Sequence, residues 1–120
     1  MTEHEIQCDF FRKLKTLALI YPELELFHAI PNGGKRTLGT AIKLKREGVK
    51  AGVPDTHLPV PSGEYCGLYI EFKRAEPKTY MKPIQKALAE RLREVGNCVE
   101  VARSGSEAIA ITEQYMRGEL

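Results

Sequence analysis

Apolar residues along this chain recur first at helical spacing, then at strand spacing, then at helical spacing again. Ile6, Phe10, Leu14 and Leu17 fall on one stripe of a helix predicted from Glu3 to Ile20 and stopped by Tyr21-Pro22. Leu24 to Ile30 reads as a strand closed by Pro31-Asn32-Gly33-Gly34, a strong turn signal. Arg36 to Glu47 reads as a short helix with Gly48 just past its end. Two short strands follow, Thr56 to Val60 and Gly67 to Lys73, joined at Pro61-Ser62-Gly63 as a hairpin. Pro83 suits the first turn of another helix, with Ile84, Leu88, Leu92 and Val95 on one face and Gly96 ending it. Asn97 to Arg103 is a strand with Val99 and Val101 on one side. Ser104-x-x-Glu107 resembles a capping box that opens a last helix, to about Met116.

This order predicts an α/β domain, a small central sheet flanked by helices. The strands around Thr56–Val60 and Gly67–Lys73 are close enough in sequence to be antiparallel. The helix between Lys73 and Asn97 permits a parallel crossover, so the sheet is expected to be mixed. At 120 residues the chain reads as a single domain spanning 1–120.

Composition adds exclusions rather than a function. The 42% hydrophobic and 28% charged content is ordinary for a globular protein. No apolar run approaches the ~18 residues of a membrane span, and Met1-Thr2-Glu3-His4-Glu5 is too acidic and polar for a signal peptide. A cytoplasmic protein with no membrane partner is expected. Cys8, Cys66 and Cys98 read as reduced and mostly buried, and with His4, His28 and His57 scattered they do not make a zinc motif.

The net charge is only +2, but it is unevenly spread. Within residues 35–50, Lys35, Arg36, Lys43, Lys45, Arg46 and Lys50 stand against one acid, Glu47, a local net of +5. Residues 1–25 carry Arg12, Lys13 and Lys15 against Glu3, Glu5, Asp9, Glu23 and Glu25, a net of −2. The basic block is either a solvated helix face or the footprint of a polyanion. Asn32-Gly33-Gly34-Lys35-Arg36 is either a plain tight loop or a turn that lays backbone N–H groups and two cations against a phosphate.

The chemistry concentrates elsewhere. On the strand Gly67–Lys73, Leu68, Ile70 and Phe72 share one face while Tyr69, Glu71 and Lys73 share the other. A carboxylate and an ammonium thus point the same way, ~7 Å apart at the backbone. A second carboxylate, Asp55, follows Pro54 just before the preceding strand. Asp55 and Glu71, with the backbone carbonyl of Phe72, are candidate ligands for Mg²⁺, which takes hard oxygens and keeps several waters. Lys73 is a candidate for orienting or deprotonating a water, or for stabilising developing negative charge. The plain alternative is a surface ion pair of Glu71 with Lys73.

Two further candidates rest on helical angle. Glu3 falls ~25° from the centre of the first helix's apolar stripe and Glu5 ~135° away. An inward glutamate must be paired or liganded; alternatively the helix starts later and Glu3 frays. Gln85 sits ~65° off the apolar centre of its helix, so it is either a partly exposed residue or one that reaches the sheet end. Tyr65, Tyr69 and Tyr80 are readable as base-stacking rings or as packing.

In this order, these residues resemble the VRR-NUC family, the virus-type replication-repair nucleases of the PD-(D/E)XK superfamily. The resemblance runs through Thr2-Glu3-His4-Glu5-Ile6-Gln7, Ile30 to Arg36, Leu44 to Asp55, Gly67 to Lys73, Gln85 and the final strand and helix. The stretch Gly48-Val49-Lys50-Ala51-Gly52-Val53-Pro54-Asp55 is the specific part; Glu-x-Lys alone is common. The resemblance implies a restriction-endonuclease-like core and an active site of Glu3, Asp55, Glu71, Lys73 and Gln85. It implies Mg²⁺ or Mn²⁺ as cofactor, and a stand-alone phage or prophage type that acts as a homodimeric resolvase of branched DNA. The expected function is Mg²⁺-dependent hydrolysis of phosphodiester bonds in four-way (Holliday) junctions. The alternatives are cutting of flaps, nicks or linear duplex, or a catalytically silent DNA-binding subunit. Asn32, Gly33, Gly34, Lys35, Arg36, Lys43, Lys45, Arg46 and Lys50 are the candidate DNA contacts.

Overall fold

The computed structural model describes residues 1–31 and 37–120. Four helices and a four-stranded sheet follow the predicted order. They are α1 (Glu3–Leu17), β1 (His28–Ala29), α2 (Leu38–Arg46), β2 (Thr56–Leu58), β3 (Gly67–Phe72), α3 (Pro83–Glu94), β4 (Asn97–Ala102) and α4 (Gly105–Met116). The sheet order is β1-β2-β3-β4, antiparallel across the first two pairs and parallel between β3 and β4. It is therefore the mixed sheet expected, with α3 as the crossover.

The core lies on the sheet face carrying Leu68, Ile70 and Phe72, each fully buried. The α1 stripe of Ile6, Phe10, Leu14 and Leu17 packs onto this face, together with Ala108 and Tyr115 of α4. Phe10 sits at the centre, its ring 5.1 Å from Phe27 and 5.6 Å from Phe72. Gly105 opens α4 where α1 passes closest. A methyl there would collide with the Asp9 carboxylate and stand 3.0 Å from the Phe10 nitrogen.

Several expectations shift. Leu24–Ile30 is not one strand: Pro22–Leu26 is a 3₁₀ helix, and only His28–Ala29 pairs in the sheet. Leu24 and Phe27 are buried while Leu26 is 55% exposed. That is a spacing of three, the 3₁₀ period, not the alternation of a strand. The first helix ends at Leu17, leaving Leu19 and Ile20 exposed in a turn. The second starts at Leu38, capped by Thr37 accepting from the Thr40 N–H at 3.1 Å. Gly48 follows its C-cap in the left-handed region (φ +97°), the conformation that favours glycine there. Ser104 caps α4 as expected, accepting from the Glu107 N–H at 3.0 Å. Cys8 and Cys66 are exposed and only Cys98 is buried, so the cysteines are not mostly core residues; all three are free thiols. Among the described residues, no helix is long and apolar enough to cross a membrane.

Gly105→Ala is expected to lower stability by about 1–3 kcal/mol, because α1 and α4 must separate to admit the methyl. Chemical denaturation measures this directly; an unchanged midpoint would contradict the close approach.

Candidate active site

The strand alternation that sends Leu68, Ile70 and Phe72 into the core sends Tyr69, Glu71 and Lys73 to the opposite face. That face is not open surface. Glu71 is 1% and Lys73 5% exposed, so they are no solvent-facing ion pair. Lys73 Nζ lies 3.9 Å from Glu71 Oε2. Asp55 enters from the start of β2, and the two acids hold each other's backbone. The Asp55 N–H donates to Glu71 Oε1 at 3.2 Å, and the Phe72 N–H donates to Asp55 Oδ2 at 2.7 Å.

Pro54 adds a further constraint. The β2–β3 register pairs Thr56 with Ile70. Carried two residues on, it puts Pro54 opposite Phe72, and a proline has no N–H to give. In a ladder the N–H and C=O of one residue face the same neighbouring strand. Beyond Thr56–Ile70 the Phe72 N–H donates instead to the Asp55 side chain.

Gln85 joins the pair directly. Its Nε2 donates to Glu71 Oε2 at 2.6 Å, while its Oε1 accepts the Lys82 N–H at 2.7 Å. The inward face of α3 is not the apolar stripe expected from sequence. Ile84 and Val95 are 53% and 71% exposed. Gln85, Leu88, Ala89 and Leu92 turn inward instead, a face rotated ~55° from the predicted centre. Gln85 thus lies near the middle of that face, because two hydrogen bonds anchor it there.

Glu3 is in register and does not fray. Thr2 and Glu5 form a reciprocal capping box, with Glu5 N–H to Thr2 Oγ1 at 3.1 Å and Thr2 N–H to Glu5 Oε1 at 3.0 Å. This fixes the first turn and aims Glu3 inward, where Thr79 Oγ1 donates to its Oε2 at 2.7 Å. The same hydroxyl accepts the Arg74 N–H at 2.7 Å. Glu3 is thereby tied to the backbone next to Lys73, through Thr79 rather than through Asp55 or Glu71. Arg103, at the end of β4, donates from Nη1 to the Arg74 and Thr79 carbonyls, both at 2.7 Å. Thr79 and Arg103 were not among the sequence candidates.

Lys43, Lys45, Arg46 and Lys50 are exposed on and just after α2. Among the described residues, no acid lies within ion-pair distance of any of them. Asn32, Gly33, Gly34, Lys35 and Arg36, the other candidate DNA contacts, lie outside the described residues. Tyr65 and Tyr69 are half-buried packing residues, Tyr69 stacked on His57 at 4.2 Å between ring centroids.

Burial, and then the Asp55 carboxylate beside it, push the Glu71 carboxyl from 4.5 up to about 9, against the opposing pull of Lys73. The buried Glu71 carboxyl and the half-buried Asp55 carboxyl beside it are hard-oxygen donors, the chemistry a divalent cation takes. Among the described residues no three His, Cys, Asp or Glu side chains converge. Glu3 does not join the Asp55–Glu71 pair and is held instead by Thr79.

A solved structure described as a "VRR_NUC domain protein" superimposes with a TM-score of 0.70. It is 30% identical and covers 98% of this chain and 89% of its own. This chain belongs to the VRR-NUC family. No family model matches it, and no curated protein does. The VRR-NUC domain is nuclease-type, and the strand glutamate and lysine, the Pro-Asp aspartate and the α3 glutamine meet at one end of its sheet.

A raised carboxyl makes stability depend on pH with a definite sign. Glu71 binds its proton more tightly folded than unfolded, so its contribution is complete below about 4.5 and is lost as pH rises toward 9. In EDTA, the urea midpoint is expected to fall across that window, with a shallower slope in Glu71→Gln. Equal slopes in the two proteins would contradict the raised carboxyl.

Proposed function

We propose that this VRR-NUC domain is a Mg²⁺- or Mn²⁺-dependent DNA endonuclease that resolves four-way junctions as a homodimer. The observation that carries the nuclease reading is the buried Glu71 joined to the half-buried Asp55, with Lys73 at 3.9 Å from Glu71. Burying an acid next to a second one is costly, and a bound cation offsets that cost. Asp55, Glu71 and the Phe72 carbonyl would hold the cation. When bound it supplies charge neutralisation at a phosphate and a water of lowered pKa.

The remaining residues act on orientation and charge. Gln85 holds Glu71 in place by donating to one carboxylate oxygen while its own oxygen is occupied by Lys82. Lys73 keeps a positive charge on the reacting side of β3, where it orients a water or stabilises the negative charge that develops on the phosphodiester. Glu3 is tied through Thr79 to the chain next to Lys73. The exposed Lys43, Lys45, Arg46 and Lys50 supply unpaired positive charge for phosphates away from the cut. Symmetric paired nicks across a junction require two sites, which a two-fold oligomer provides.

Cleavage of a labelled four-way junction and a matched linear duplex, in Mg²⁺ and in EDTA, tests the proposal. The expected result is paired cuts on the junction, abolished by EDTA and reduced at least ~100-fold in Asp55→Ala. Equal cutting of both substrates would keep the nuclease and remove the junction selectivity. A folded protein that cuts no DNA in either metal would overturn the reading.

A further inference from the structure

Tyr80 is the one phenylalanine or tyrosine ring that is exposed, at 64%, while the others are buried or half-buried. It is not on a loose tip. The preceding residue, Thr79, is held through its side chain by Arg74 and Glu3 and through its carbonyl by Arg103. Two cations lie against the ring, Lys78 Nζ at 5.3 Å and Arg103 Cζ at 5.4 Å from its centroid. The surrounding segment is basic: Arg74, Lys78, Lys82 and Lys86 stand against Glu76 alone.

Its place in the chain matters as much as its surroundings. Tyr80 lies between two residues that hold site carboxylates, Thr79 on Glu3 and Gln85 on Glu71. Even fully extended, five residues reach only ~17 Å, so the ring stands within a nucleotide or a few of the Asp55–Glu71 pair.

A ring still 64% exposed with two cations over it has open area left to stack on a nucleobase while the charges take the adjoining phosphates. A base inside a duplex is already stacked on both sides. Only a base left unstacked on one side, at a branch, a flap or a strand end, has a face to offer. We propose that Tyr80, with Lys78 and Arg103, is a stacking subsite for an unpaired nucleotide of the DNA strand beside the cleavage site, and that it selects branched over continuous duplex. The proposal deepens the nuclease reading and rests on it for substrate class, but its test does not depend on turnover.

The test is equilibrium binding in EDTA to a duplex with a single-stranded tail and to the same duplex without one, with 2-aminopurine in the tail. Binding of the tailed DNA is expected to quench the 2-aminopurine fluorescence. Tyr80→Leu is expected to lose about tenfold in affinity for the tailed DNA, a typical stacking contribution. Its affinity for plain duplex should be unchanged, and Tyr80→Phe should retain both. Lys78→Ala should reduce the salt dependence by about one phosphate contact and leave the quench in place. Equal losses on both DNAs, unchanged tail affinity in Tyr80→Leu, or no quench with the native protein would each overturn the subsite. Should Tyr80→Leu fail to fold, the quench with native protein and with Tyr80→Phe still decides. Tail binding that depends on Tyr80 in a protein that cuts nothing would leave the subsite standing and the nuclease reading fallen. Cleavage with a Tyr80-independent tail would do the reverse.

Discussion

Burying Glu71 beside the half-buried Asp55 crowds two carboxyls together, one of them out of water, and most of the surrounding structure answers that cost. Each acid accepts a backbone N–H from the other's strand, so neither can move without breaking the register of the pair. Gln85 takes one of the remaining carboxylate oxygens, and Lys73 brings a compensating charge to within 3.9 Å. These contacts reduce the penalty without removing it, since the Glu71 carboxyl still sits far above its ordinary range. The site is thus organised around a carboxyl that gives up its proton only reluctantly. The other face of the same strand bears the load: Leu68, Ile70 and Phe72 are fully buried against α1 and α4. β3 is a structural strand on one side and a reactive one on the other, and the alternation of the pleat keeps the two apart.

α1 and the loop after β3 extend this division. α1 buries its apolar stripe on the core side and turns Glu3, at its first residue, toward the site. The Thr2–Glu5 capping box matters for that reason as well as for helix stability, because a frayed first turn would release Glu3. The Thr79 hydroxyl then acts as a connector, since it has one proton to give and gives it to Glu3 while accepting from the chain beside Lys73. Arg103 fixes the loop from the end of β4 through two carbonyls. The parallel β3–β4 pairing therefore helps place residues that follow β3, because it brings Arg103 alongside them.

How much of this was readable in the sequence depends on the range of each interaction. Asp55, Glu71 and Lys73 were legible because a two-residue alternation and a Pro-Asp step are local. Glu3 stayed open between an inward and a frayed position, although Thr2-x-x-Glu5 carried the capping signal that decides it. Thr79 and Arg103 left no local mark: Thr79 meets Glu3 across 76 positions and Arg103 meets Thr79 across 24. The strand expected over Leu24–Ile30 failed because its buried residues, Leu24 and Phe27, lie three apart, the spacing of the helical turn that Pro22 opens. α2 was foreseen, although it buries no residue.

α3 shows why an apolar stripe is not always the buried face. Its four aliphatic positions would bury most area if Ile84 and Val95 faced the sheet, but that rotation would carry Gln85 away from Glu71. The helix instead leaves those two side chains exposed and keeps the polar contact. A hydrogen bond to a buried carboxyl outweighs the partial burial of a side chain, because the acid left unpartnered would bear its full desolvation penalty. The residue type is equally constrained. With its oxygen occupied by the Lys82 N–H, the amide has only its NH₂ group to turn toward Glu71. A glutamate there would add a third acid to two already crowded ones, and a lysine has no acceptor for the Lys82 N–H. Glutamine alone meets both demands, which places the helix's orientation under the control of the site rather than of the core.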